Sequence, residues 1–165
     1  MEILLVSPFR PIFVIIAKAV PYLILSIVNI SVIIALSTFV LEVPVAGSLF
    51  VLMMESTLFI ITCLSLGLLI SVGAETQQAA MGSSLMGMML PTMLLSGFMF
   101  PIENMPIGMQ VISNIVPSRW YYLIVKGVML KGLGFAQLWK ETLVLVGMTI
   151  FFLGITLRKF KIRLA

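Results

Sequence analysis

LPTMLLSGFMFPIENMP, running from Leu90 to Pro106, decides how the rest of the chain is read. Its first half is an apolar run suited to lipid. Phe100-Pro101 closes that run, and Glu103, Asn104 and a second proline, Pro106, follow at once. Proline removes a backbone donor and pushes the residue before it out of the helical region. A membrane helix is therefore expected to end here, at a water interface, with a sharp turn after it. The next stretch, 107–130, is too apolar for a free loop and too broken for a clean span. A helix with a hard stop, followed by a half-buried segment, points to a transporter rather than a plain anchor.

Composition supports lipid as the solvent. The chain is 61% hydrophobic and only 10% charged, with a mean hydropathy of +1.24; soluble domains run nearer half apolar and about a quarter charged. The net charge of +4 is small and scattered, so no nucleic-acid partner is implied. There is no histidine and no aspartate. That inventory excludes Ser-His-Asp triads, HExxH zinc sites and paired-aspartate catalysis. Cys63 stands alone in an apolar run and reads as an inert buried thiol. No GxxxxGK[ST] phosphate loop occurs, so if ATP drives this protein, another chain must bind it.

Taken in order, residues 1–19 do not read as a signal peptide. Glu2 is acidic where a basic region belongs, and Pro8 and Pro11 interrupt the apolar stretch. Ile3, Leu4, Leu5 and Val6 suit a short amphipathic helix, either lying on the membrane or docking a partner on that face. The first span is expected at 20–40, because about 20 apolar residues cross a bilayer. Glu42, Pro44 and Gly47 make a short turn into a second span at 49–72. Glu55 lies inside that span. A carboxylate at membrane depth costs at least ~2.5 kcal/mol unless paired, protonated or wet. Glu55 is thus a pathway candidate, or else the helix begins later and Glu55 snorkels to the surface.

The third span is expected at 79–100. Ala79, Ser83 and Gly87 make a small-residue stripe that lets another backbone approach. Its many methionines suit an adaptable ligand surface or ordinary core filling, and Pro91 is placed to kink it. In the broken region, 101–132, Pro117 interrupts the apolar periodicity. Arg119 sits beside Trp120, Tyr121 and Tyr122, an interfacial pattern. Two short helices that dip into the membrane and return fit this better than a span. The last span is expected at 138–157, followed by a basic tail at 158–165. That tail argues for a cytoplasmic C-terminus. Four spans put Arg10 and Lys18 on the same face. The expected fold class is an all-α integral membrane protein.

With these residues in view, the chain resembles the membrane (permease) subunit of type-2 ABC exporters, the bacterial ABC transporter permease family. The matches are MEILLVSPFRP at 1–11, KAVPYL at 18–23, GLLIS and AETQQAAM within 67–81, LPTMLLSGFMFPIENMP at 90–106, and VPSRWYYLIVKGVMLKG at 116–132. The resemblance implies a multi-pass protein of the bacterial inner membrane with both termini cytoplasmic. It implies a dimer with a second permease subunit, and an ABC ATPase subunit that carries ATP and Mg, so that this chain is not itself an enzyme and holds no cofactor. The N-terminal segment resembles the coupling helix that sits in a groove of the ATPase, here Glu2, Leu4, Leu5, Pro8 and Arg10. The region 101–132 resembles the family's re-entrant outer helices. It supplies an outer gate at Pro101, Glu103, Asn104, Pro106, Arg119 and Tyr121. Glu55, Ser83, Gly87, Ser96 and Gly97 are the pathway or helix-packing candidates. Family members carry six helices, and this chain begins near where their second helix has ended. Its missing part is expected upstream in a longer reading frame or on a separate chain. The alternative reading is a small structural or regulatory membrane protein that assembles with a membrane complex.

Overall fold

The computed structural model describes residues 11–74 and 76–163. Helix α1 spans Pro11–Phe39 and α2 spans Leu49–Gly73. Helix α3, Gln77–Ser84, runs through a π turn at Leu85–Met89 into α4, Leu90–Leu95. Two shorter helices follow, α5 at Ile107–Ser113 and α6 at Pro117–Lys131, and α7 closes the fold at Trp139–Arg163. Single 3₁₀ turns sit at Ile102–Asn104 and Phe135–Gln137. Every regular element among the described residues is helical.

Among the described residues, three stretches are long and apolar enough to cross a membrane: Ala19–Phe39, Leu49–Gly73 and Trp139–Lys159. The crossing expected at 79–100 is where the structure differs most from the sequence reading. Its helix stops at Leu95 rather than Phe100, and the π turn interrupts it. Pro91 gives the reason. It has no N–H to offer the carbonyl four residues back, so the ladder widens into a π turn just ahead of it. Beyond Leu95, Gly97 adopts φ +87°, a left-handed conformation that ends the helix. Helix α1 also departs from expectation. It begins at Pro11, where proline is tolerated in a first turn, and continues unbroken through Pro21.

α2 and α7 run parallel, in register. Glu55 meets Thr142 and Thr62 meets Thr149, each pair 87 positions apart. At the far end, the ammonium of Lys159 lies beside Gly73, at the carbonyl end of α2, where a cation suits the helix dipole. Constant offset over that length is the mark of parallel helices packed along a seven-residue repeat. α6 lies across the first half of this seam. Leu52, Ile124, Val128, Leu138 and Leu145 are buried together there, with Ile34 of α1 at the edge.

The turn between α1 and α2 docks on the end of α6. Ala46 N–H donates to the carbonyl of Met129 at 3.0 Å. Gly132 caps α6 with φ +63°, and a Cβ there would lie 3.1 Å from the Ala46 carbonyl oxygen. The starts of α2 and α7 and the last turn of α6 therefore share one end of the molecule. α3, the π turn and α4 bury none of their residues.

Candidate functional site

The polar groups of the seam carry the unusual chemistry. Glu55 is fully buried, 0% exposed, one turn and a half into α2. It does not reach the surface, which answers the alternative that the helix begins later. The Thr142 hydroxyl lies 2.7 Å from Glu55 Oε1 and 2.9 Å from the Leu138 carbonyl oxygen. Glu55 Oε2 has no hydrogen-bond partner. One heptad further along, the Thr62 and Thr149 hydroxyls meet at 2.6 Å, and each also bonds the carbonyl four residues back in its own helix. Thr156 is buried another seven residues on.

α6 is keyed to α2 beside this seam. The Tyr121 ring stacks on Phe59, with centroids 4.2 Å apart and planes 2° from parallel. Its hydroxyl sits 2.9 Å from Ser56 Oγ. The apex between α5 and α6 is tied by Arg119, whose guanidinium donates to the Gln110 carbonyl and to Ser113 Oγ and lies over the Trp120 ring. Trp120 Nε1 donates to the Asn114 carbonyl at 2.9 Å. Both groups satisfy carbonyls at the end of α5, where a helix needs donors. The chain thus doubles back on itself as a hairpin.

The remaining expected residues fall elsewhere. Pro101, Glu103, Asn104 and Pro106 form the exposed turn leading into that hairpin; the Asn104 N–H donates to the Pro101 carbonyl. Ser96 is buried next to Gly97, which closes on Ile102. Ser83 and Gly87 are exposed on the interrupted helix, with open space around Gly87, and are not brought to Glu55. Glu2, Leu4, Leu5, Pro8 and Arg10 lie outside the described residues. Sequence reading missed Thr62, Thr142 and Thr149. The signal was present: threonines seven apart in α7, and Glu55 seven before Thr62 in α2.

The model of the family described as "ABC-2 type transporter" matches residues 1–130. The chain belongs to the ABC-2 type transporter family. Its relatives fit that membership. It is 33% identical to the probable multidrug ABC transporter permease YbhS of Escherichia coli, over 99% of this chain and 44% of the relative. It is 34% identical to the probable multidrug ABC transporter permease YbhR of the same organism, over 84% of this chain and 37% of the relative. A more distant relative, ABC transporter G family member 20 of Dictyostelium discoideum, is 28% identical over 79% of this chain. The chain spans under half the length of each of these relatives. No solved structure matches it. It is an ABC-2 type membrane protein with several spanning helices, and its bacterial relatives are named as permeases.

Proposed function

We propose that this chain is the permease portion of an ATP-driven exporter, lining part of a transport path and taking its motive force from a separate ABC ATPase. The family match over residues 1–130 carries the reading. ATP and Mg belong to the ATPase partner, and a second permease subunit completes the path across the membrane.

The parallel seam supports a specific topology. If α2 and α7 cross in the same direction, the chain between them makes one return journey. Gln77 to Leu95 is the segment that makes it, as a fourth span with a π turn inside. Residues 101–137 then stay on the arrival side as a re-entrant hairpin. Tyr121 meets Phe59 ten residues into α2, roughly 15 Å along its axis. That is about half of a ~30 Å hydrocarbon core. Backbone at such depth is tolerated when protein covers it, and α2 and α7 cover α6. The basic tail after α7 puts both termini in the cytoplasm and the hairpin on the outside.

In this reading Leu4, Leu5 and Pro8 bear against the ATPase, with Glu2 and Arg10 flanking. Closure of the ATPase shifts the helices through its differential affinity for two permease states. The hairpin closes the outer exit, and the open face of Ser83 and Gly87 meets the second subunit or the path. Lipophilic drugs are the first substrates to try, since YbhS and YbhR carry multidrug names. The test is coupling in proteoliposomes with the ATPase. Arg10→Glu and Leu4→Pro are expected to leave basal hydrolysis intact and abolish its response to substrate. Unchanged coupling in both variants would overturn the assignment of this segment.

A further inference from the structure

We propose that the outward face of α1 is a self-association surface, on which Asn29 pairs with the same residue of a second, parallel copy of this chain. The inference asks only that α1 cross the membrane and does not depend on coupling to an ATPase.

Asn29 is the central residue of the apolar stretch Ala19–Phe39, and it is exposed. Its carboxamide makes no hydrogen bond to any described residue. Ser31 and Thr38, further along the helix, turn their hydroxyls onto carbonyls of α1 itself, those of Ile27 at 2.7 Å and Ile34 at 3.0 Å. Asn29 takes no such local partner. At mid-span both edges of the hydrocarbon core are about 15 Å away. So short a side chain cannot reach them, as a lysine or arginine near a helix end would. An unpaired carboxamide in hydrocarbon is costly, and a hydrogen bond to a neighbouring helix relieves that cost.

The face that carries Asn29 has the pattern of a helix–helix seam. Tyr22, Leu25, Asn29, Val32, Leu36 and Phe39 alternate three and four residues apart, a heptad stripe with Asn29 at an a position in its middle. The other five members are each at least half exposed. Tyr22 and Phe39, at the two ends, also border the grooves between α1 and α2; the four between them face away from the rest of the chain. The opposite side of α1 is already occupied. Ile34 is buried in the core with Ile30 packed against it, and at 3.6 residues per turn both lie around the helix from Leu25, Asn29 and Leu36.

A second copy satisfies every part of this face at once. Copies of one chain enter the membrane in the same orientation. A twofold axis along the membrane normal therefore sets the stripe against itself and brings the two Asn29 side chains together at one depth. Each carboxamide offers an N–H and a carbonyl oxygen to the other. A single asparagine at an a position fixes register in parallel helix pairs, and crossings of about +20° are the commonest in membranes. A foreign helix would have to bring its own polar group to the same depth and its own matching heptad. Lipid tails bring neither donor nor acceptor.

Two measurements on the full chain test this. In the first, copies labelled separately with donor and acceptor dyes are mixed in micelles, and Förster transfer is followed as detergent is added at constant protein. Wild type is expected to associate. Asn29→Leu is expected to weaken the association roughly 3- to 30-fold, and Asn29→Gln, which keeps the carboxamide, to retain most of it. The second measurement leaves Asn29 in place. With Cys63, the lone cysteine, replaced by alanine, Leu25→Cys and Val32→Cys are expected to give disulfide-linked dimers under mild oxidation. Ile24→Cys and Ala35→Cys, exposed off the stripe, are expected to stay monomeric. A monomeric wild type, an Asn29→Leu variant that associates as tightly as wild type, or equal cross-linking at all four positions would overturn the proposal. Association that survives Asn29→Leu and does not cross-link through the stripe would put the second permease subunit on another face and leave the transport reading intact. Cross-linking through the stripe in a chain that never couples to an ATPase would do the reverse.

Discussion

Gly47 is the place where a single methyl group should separate the α5–α6 hairpin from the rest of the fold. It lies in the turn between α1 and α2, pressed against the last turns of α6. A Cβ at Gly47 would sit 2.7 Å from the Val128 carbonyl oxygen and 3.0 Å from Val128 Cγ1. The first contact is with backbone, so no side-chain rotation relieves it. Val128 is fully buried, and its neighbour Met129 accepts the Ala46 N–H. α6 must therefore move as a unit, or the turn must lift away. Overpacking of a close-packed contact costs typically ~1–3 kcal/mol, and loss of the Ala46–Met129 hydrogen bond would add about 1 kcal/mol. Gly47→Ala is thus expected to lower stability by roughly 2–4 kcal/mol. Gly67→Ala is the control, because nothing lies within 4 Å of its added methyl. Unfolding in mixed micelles gives the free energies, and proteolysis within 97–132 reports whether the hairpin is freed. If Gly47→Ala matches Gly67→Ala in both, the docking of α6 on the turn is wrong.

Other perturbations probe the remaining contacts. Thr62→Val, Thr149→Val and the double variant form a cycle whose coupling energy is expected near 0.6 kcal/mol, the usual value for hydrogen bonds between membrane helices; additive losses would deny their direct contact. Tyr121→Phe keeps the stack on Phe59 and loses only the Ser56 hydrogen bond, so a cost of about 0.5–1.5 kcal/mol is expected, with Tyr121→Ala clearly worse in the same unfolding assay. Gly97→Ala places a side chain at φ +87° and 3.1 Å from Ile102 Cδ1. A loss of roughly 1–3 kcal/mol is expected, and a silent variant would argue against that turn. Pro91→Ala should restore ordinary α-helical bonding through 85–91 and slow amide exchange there.

Much of the architecture was legible because its causes are local. The apolar run at 49–72 forms a helix at Leu49–Gly73 that is long and apolar enough to cross a membrane, since apolar length alone dictates it. Pro117 reads as a break in the sequence and opens α6 in the fold, because its effect acts through its own backbone. The end of the third helix was misread for the opposite reason. Phe98, Met99 and Phe100 are as apolar as the helix before them, but Gly97 turns the chain first, and hydropathy carries no information on φ. The π turn was half legible. Pro91 signalled a disturbance without saying which form it would take.

The seam was the hardest part to foresee. Glu55 stood out as a carboxylate in lipid, but its partner is 87 residues away. Thr142 carries no charge, and threonine is common in membrane helices. Only the seven-residue spacing in both helices hinted at a shared face. The aromatic neighbourhood of Tyr121 reads as interfacial, and its outer-gate role is only what the family resemblance implies; its contact with Ser56 depends on how α6 folds back.

The most direct test of the central claim is retention of an ATPase. The chain, affinity-tagged at its C-terminus, would be co-expressed with ABC ATPase subunits from its own cell and purified in mild detergent. The account predicts that an ATPase is retained in stoichiometric amount by wild type and lost with Leu4→Pro. If wild type retains none under conditions where the fold is intact, or if Leu4→Pro retains it equally, coupling through the N-terminal segment is contradicted.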